Sequence, residues 1–185
     1  MTTGISPTTE TTTWTIDPVH SSAEFKIKHM MITNVKGRFT DVKGTLEFNQ
    51  ADVTKSKITA TIGAASIDTR NDDRDTHLKS ADFFDVEKFP TLTFTSNRIT
   101  EAGAGELKVE GDLTIRDVTR PVVFEVEGPS EPGKDPWGNT RIGWSATTKI
   151  NRKDFGLAWN AALETGGLLV GDQVTITLDV QAVKS

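Results

Sequence analysis

Ala23-Glu24-Phe25-Lys26-Ile27-Lys28-His29 sets Ala23, Phe25, Ile27 and His29 on one side of a chain whose other side carries Glu24, Lys26 and Lys28. A period of two is the pattern of an extended strand with one dry face and one face in water. The same alternation recurs at Leu107, Val109, Gly111, Leu113 and Ile115, at Val122, Phe124 and Val126, at Ile142, Trp144 and Ala146, and at Val174, Ile176, Leu178 and Val180. Shorter runs pair Leu46 with Phe48, Ile58 with Ala60 and Ile62, and Leu92 with Phe94. About eight strands, each with one apolar face, predict an all-β sandwich or closed barrel and exclude a βαβ arrangement.

Turn residues fall between these runs. Ala102-Gly103-Ala104-Gly105 joins two strands, and Gly128 to Asn139, with Pro129, Pro132 and Pro136, reads as a longer exposed loop. That loop carries Trp137, which either contacts a membrane or partner or tethers the loop to the barrel. Arg116-Asp117-Val118-Thr119 is a tighter turn, with Asp117 expected in left-handed backbone because aspartate tolerates it better than most residues. The helix candidate is Asn71 to Lys79, short and polar with Leu78 as its anchor. It is expected to lie across one barrel end as a cap, with Phe83, Phe84 and Phe89 following it inward.

A chain of 185 residues without an interior linker is read as one domain, residues 14–185, preceded by a threonine-rich flexible leader, Met1 to Thr13. The formal net charge is -5 and the basic residues are scattered singly, so no positive stripe is available for a phosphate backbone and nucleic acid is excluded as a partner. The leader lacks both a charged n-region and an apolar h-region, which places the expectation in the cytoplasm, or in the periplasm if an export leader has been trimmed. No apolar run reaches membrane-spanning length, and the chain has no cysteine for disulfides, thiolate chemistry or lipid attachment.

Catalytic groups do not converge in the sequence. The chain has three histidines and no tyrosine. His20 lies beside Ser21 and Ser22, but adjacent strand residues point to opposite faces and no nucleophile elbow or orienting acid follows. His77 has no histidine four residues away, so zinc geometry is unsupported. Asp68, Asp72, Asp73 and Asp75 are interleaved with Arg70 and Arg74 and lack the glycine and terminal glutamate of a calcium loop, so they read as a solvated helix start. No metal and no cofactor is expected.

Asp75-Thr-His-Leu-Lys-Ser-Ala-Asp-Phe-Phe-Asp-Val-Glu-Lys-Phe-Pro-Thr-Leu-Thr-Phe94 runs a short polar helix into paired phenylalanines and then a strand. This stretch resembles the signature of the YceI family. Trp14-Thr15-Ile16-Asp17 followed by His20-Ser21, the segment Gly111 to Val122, Asn151-Arg152-Lys153-Asp154-Phe155-Gly156, and Val170-Gly171-Asp172-Gln173-Val174 match its other blocks in order. The resemblance implies an extended eight-stranded antiparallel lipocalin-like β-barrel with a short capping helix, holding a long apolar molecule, typically a polyisoprenoid.

An eight-stranded barrel is either filled by side chains or just wide enough for one small ligand. Strands of about ten residues, at roughly 3.3 Å each, predict an elongated tunnel. The small inward residues Ala23, Ala60, Gly111 and Ala146 are expected to leave room in it. The expected lining is Phe25, Ile27, Phe39, Phe48, Ile62, Phe83, Phe84, Phe89, Phe94, Trp144, Phe155 and Trp159, with His29 and Arg38 as candidates for a polar head group at the mouth. The resulting expectation is non-enzymatic binding, storage or transport of an isoprenoid, isoprenyl phosphate or isoprenoid quinone, with transient membrane contact and a homodimer through a sheet edge or the mouth as further partners. Two alternatives stand beside it. One is a lipocalin-like enzyme using His29 or His20, and the other a stress-response interaction domain whose barrel is plugged.

Overall fold

A computed structural model describes residues 10–185 of the chain. Its strands are β1 Thr11–Ile16, β2 Ser22–His29, β3 Thr33–Phe39, β4 Val42–Asn49, β5 Lys57–Gly63, β6 Ile67–Asp68, β7 Thr91–Gly103, β8 Glu106–Ile115, β9 Val118–Glu127, β10 Gly133–Lys134, β11 Thr140–Asn151 and β12 Val170–Lys184, with one helix, α1, at Asp72–Lys79. The strand pattern begins at Thr11, upstream of Trp14, because Thr11 to Thr13 pair with Asn49, Phe48 and Glu47 of β4. The earlier part of the expected leader lies outside the described residues.

All strand pairs are antiparallel and the sheet closes on itself through β11 and β12. Three of its eight positions are each built from two chain segments. β12 pairs with β1 at Ile16↔Ala182 and with β2 from Ser22↔Asp179 to His29↔Val170, so β1 and β2 occupy one position, bent at residues 17–21. β4 and β3 fill the next position, bent at 40–41, and β5 and β6 the third, bent at 64–66. β7, β8, β9, β11 and β12 complete the ring with 10 to 15 residues each. At about 3.3 Å per residue, β12 alone spans roughly 50 Å, which makes the barrel tall.

The two ends of this barrel differ. At the end formed by the start of β1 and the close of β12, Trp14, Leu46, Phe48, Ile142 and Ala182 pack together, and Trp14 and Phe48 meet edge to face with centroids 6.4 Å apart. Trp14 keeps only 2% of its surface and still satisfies its indole N–H on Thr12 Oγ1 at 2.9 Å. At the other end β6 pairs with β3 alone, and α1 with residues 80–90 crosses there. The helix starts where its residues dictate: Asn71 caps it by accepting from Arg74 N at 2.9 Å, acids fill the first turn, and His77 and Lys79 sit at the negative end of its dipole. The expected acidic cluster is consumed by this local structure, since Asp75 accepts from Thr69 N and Oγ1, and Asp68 accepts from Arg70 N and pairs with Arg38.

Two local expectations are corrected. In the β8–β9 turn Arg116, not Asp117, takes the left-handed position at φ 57°. Gly111 does not leave free space: a Cβ there would lie 2.4 Å from the Thr95 carbonyl oxygen and 2.5 Å from the Phe94 ring, so the missing side chain admits a neighbouring strand and an aromatic ring.

The bend between β1 and β2 is held by Arg141. Its Nη1 donates to Asp17 at 2.6 Å and its Nε to Asp135 at 2.7 Å, tying the Gly128–Asn139 loop to the opposite end of the sequence. The guanidinium holds the Asp17 carboxyl well below the usual carboxylate range and lowers that of Asp135 to about 2. Both carboxylates therefore contribute stability that is complete above their unfolded pKa and is lost as pH falls through the folded values.

In Asp135→Asn the deficit in stability relative to the parent should be constant near neutral pH and close as pH falls from about 4 towards 2, followed by urea unfolding at each pH. A deficit that persists unchanged at the acid end would contradict the clamp. Gly111→Ala should lose about 1–3 kcal/mol in the same assay, because the obstructing atom is backbone; an unaltered midpoint would show that the strands can part without strain.

Candidate ligand-binding cavity

The inward faces of the strands enclose a cavity of about 370 Å3. That is within the usual range for small-molecule sites, roughly 300–1,000 Å3, so the barrel is not plugged. Its wall is almost wholly apolar, because strand alternation sends one residue in two into the interior and those residues are Val, Ile, Leu and Phe on nearly every strand.

Phe25, Ile27, Phe39, Phe48, Ile62, Phe83, Phe84, Phe94, Trp144 and Trp159 all line it, as do the small residues Ala23, Ala60 and Ala146. Phe25, Phe39 and Phe84 form a run of rings with successive centroids 5.8 and 5.7 Å apart, and Phe94 meets Phe124 edge to face at 5.1 Å. Gly37 makes room for this run: a Cβ there would sit 2.3 Å from Phe25 Cζ.

Three expected site residues are placed elsewhere. Phe89 does not reach the wall; its ring lies beneath the Arg116 guanidinium, 5.6 Å from ring centroid to Cζ, because residues 80–90 are successive turns with no period to direct it inward. Phe155 is fully buried in the core on the 3-10 turn Arg152–Phe155, behind the cavity wall. Arg38 follows inward-facing Gly37 and precedes inward-facing Phe39, so alternation turns it outward, where it is 58% exposed and 3.5 Å from Asp68.

Burial marks where the cavity opens. Ile16, Leu46, Phe48, Leu107 and Val126 are buried, whereas Phe25, Ile27, Val35, Val174, Ile176 and Leu178 face the same interior and remain only half-buried. The open half is thus the one bounded by β2, β3 and the beginning of β12. Charged and imidazole side chains of the lining gather on this side, Glu24, Lys28 and His29 from β2 and Arg74 and His77 from α1, while Ser56 is a polar residue of the lining at the other end. Arg74 is fixed by Thr69, donating from Nε to Oγ1 and from Nη2 to the carbonyl, both at 2.8 Å. His77 stacks edge-on against Trp159 at 4.6 Å and Phe83 at 5.1 Å and reaches Asp82 at 2.8 Å.

The loop from residue 156 to 169 completes the mouth and is organised by Arg152. This side chain is 3% exposed, and it donates to the carbonyls of Gly171, Leu157 and Trp159 at 2.7, 2.5 and 2.8 Å. Burial pushes its guanidinium below the ordinary value, opposed by Asp172 at 3.8 Å. Asn160 extends the pattern by exchanging two hydrogen bonds with Val170. Arg74, His77 and Arg152 were not read from the sequence as site residues, since what places them here is contact with segments distant in the chain; Leu78, expected as the anchor of α1, does line the cavity.

The hydroxyl and imidazole at Ser21 and His20 diverge. His20 Nδ1 is 2.8 Å from Asp17, while Ser21 Oγ donates to the Gln181 carbonyl at 3.3 Å. Among the described residues no group of three His, Cys, Asp or Glu side chains is arranged to hold a metal ion.

Known proteins share this architecture, and some of them are similar to the chain in sequence. A UPF0312 protein of Staphylococcus aureus (strain bovine RF122 / ET3-1) is 43% identical over 164 residues, which cover 88% of this chain and 92% of the relative. The crystal structure of a Campylobacter jejuni YceI protein superposes with a TM-score of 0.72 at 34% identity, covering 85% of this chain and 90% of that one. A polyisoprenoid-binding domain from Saccharophagus degradans shares the fold with a TM-score of 0.67 at 14% identity, covering 93% and 98% of the two chains. A family model described as the YceI-like domain matches residues 14–182, and the chain belongs to that family.

Proposed function

We propose that this protein is a non-enzymatic carrier that holds a long amphiphilic lipid of the isoprenoid class in its barrel. The observation that carries the reading is the asymmetry of the cavity, apolar along its walls, packed shut by the Trp14 cluster at one end and carrying charged and imidazole groups of β2 and α1 at the other. Binding would be driven by removing apolar ligand surface from water, at roughly 25 cal/mol per Å2. Directional chemistry is needed only at the mouth, where His29 and Arg74 offer donors to a phosphate or other oxygen-rich head group. Specificity then comes from depth and shape, set by the aromatic run of Phe25, Phe39 and Phe84. The Saccharophagus degradans domain, which binds polyisoprenoid on the same fold, supports the choice of ligand class.

Protein purified without detergent and examined by native mass spectrometry should carry an extra mass that organic extraction removes, and the emptied protein should then take up an apolar fluorophore that isoprenoid chains displace. A folded protein that does neither is not a carrier. Ala60→Leu adds three carbons to a half-buried part of the wall and should weaken binding of long chains more than short ones, by about tenfold at the longest length. Equal affinities across the chain-length series in parent and variant would place the ligand elsewhere.

A further inference from the structure

The turn between β2 and β3 is built from Met30 and Met31, both in left-handed backbone at φ 53° and 60°. Ile32 N donates to His29 O at 3.1 Å and closes the turn around these two residues within a three-residue connection; left-handed turn positions normally take Asn or Gly, so two long apolar side chains are held here against local preference. They are also held outside: Met31 is 73% exposed, Ile32 72% and Met30 41%. Leu168, on the loop that completes the mouth, is 43% exposed beside them. The two tips are joined, since Met30 N donates to Leu169 O at 2.7 Å and Met31 Sδ lies where a Cβ on Gly167 would be 2.7 Å away. The exposed patch is continuous with the cavity, whose lining begins at His29, Leu169 and Val170.

Behind the patch the outer face is basic. Lys26 and Lys36 lie directly opposite each other on β2 and β3, with Lys28 next along the strand, all exposed. Like charges placed opposite one another repel, and among the described residues none of the three is paired with a carboxylate. Over Ser22–Phe39 four cations (Lys26, Lys28, Lys36 and Arg38) accompany one anion (Glu24), a net +3 in a chain of net -5, and of the four only Arg38 is paired, with Asp68 of β6. Glu164 is the acid on the neighbouring loop.

We propose that this hairpin docks the barrel mouth onto an anionic lipid bilayer, with Met30, Met31, Ile32 and Leu168 entering the interface and Lys26, Lys28 and Lys36 meeting the head groups. An apolar tip backed by lysines is the composition that binds such a surface, and methionine adapts to an irregular acyl boundary. A second copy of the chain is the poorer occupant, because a two-fold contact would set one +3 hairpin against another. The docking deepens the carrier reading: a lipid could pass from the bilayer into the cavity without crossing water. Trp137 has no part in it, since its loop adjoins the start of β11, which pairs with Val183 at the sealed end.

The test is flotation of the full chain with vesicles of phosphatidylcholine alone and of phosphatidylcholine mixed with phosphatidylglycerol, at low and high salt. The parent should float with the mixed vesicles, release in high salt and ignore the neutral ones. Met31→Asp with Ile32→Asp, and separately Lys26→Glu with Lys36→Glu, should each reduce flotation about tenfold while thermal unfolding and uptake of an apolar fluorophore stay as in the parent. The proposal is overturned if the parent fails to float with anionic vesicles, floats equally with neutral ones, or keeps its flotation in both variants, or if gel filtration shows a dimer that Met31→Asp with Ile32→Asp dissociates. Fluorophore uptake is read without vesicles, so a parent that floats but takes up no fluorophore refutes the carrier reading and leaves the docking standing.

Discussion

Everything in this molecule depends on the closure of the sheet by β12, which hydrogen-bonds along one side to β11 and along the other to β1 and then β2. Closure removes sheet edges, and it converts the period-two alternation of each strand into one continuous apolar lining. A barrel of eight positions has little interior to spare. Whether space remains is decided by how the inward side chains divide it, and here they fill one end and leave the other open.

The division follows from the bends. At residues 17–21, 40–41 and 64–66 three adjacent positions change segment side by side, so the upper and lower halves of the wall can face the interior differently. Below the bends, Trp14, Leu46, Phe48, Ile142 and Ala182 interlock into a seal. Above them, β6 runs out after two residues, and α1 with Phe83 and Phe84 supplies the wall that a longer strand would have supplied. Two arginines stabilise this geometry in opposite ways. Arg141 joins the first bend to the long loop through two carboxylates, whereas Arg152 is buried and satisfied mainly by backbone carbonyls, an arrangement that orders the loop from 156 to 169 around one charge.

Charge is distributed with the same polarity as the cavity. The chain is acidic as a whole, yet the hairpin beside the mouth is basic on its outer face and apolar at its tip. Net charge therefore describes the chain as a whole and conceals the character of the hairpin beside the mouth.

From sequence alone came the all-β class, the positions of the long strands, α1 with its cap at Asn71, and ten of the twelve expected lining residues, because alternation and capping are local and periodic properties. The outward direction of Arg38 was equally legible, since its neighbour Phe39 faces inward. Tertiary structure alone decided the rest. Phe89 and Phe155 lie outside regular strands, where no period directs a side chain, and Gly111 is small because Phe94 of an adjacent strand needs its place. Arg74, His77 and Arg152 belong to the mouth through contacts between distant segments. The existence of the cavity depends on how volumes from eight positions add across a closed ring, a sum over neighbours that no single strand contains.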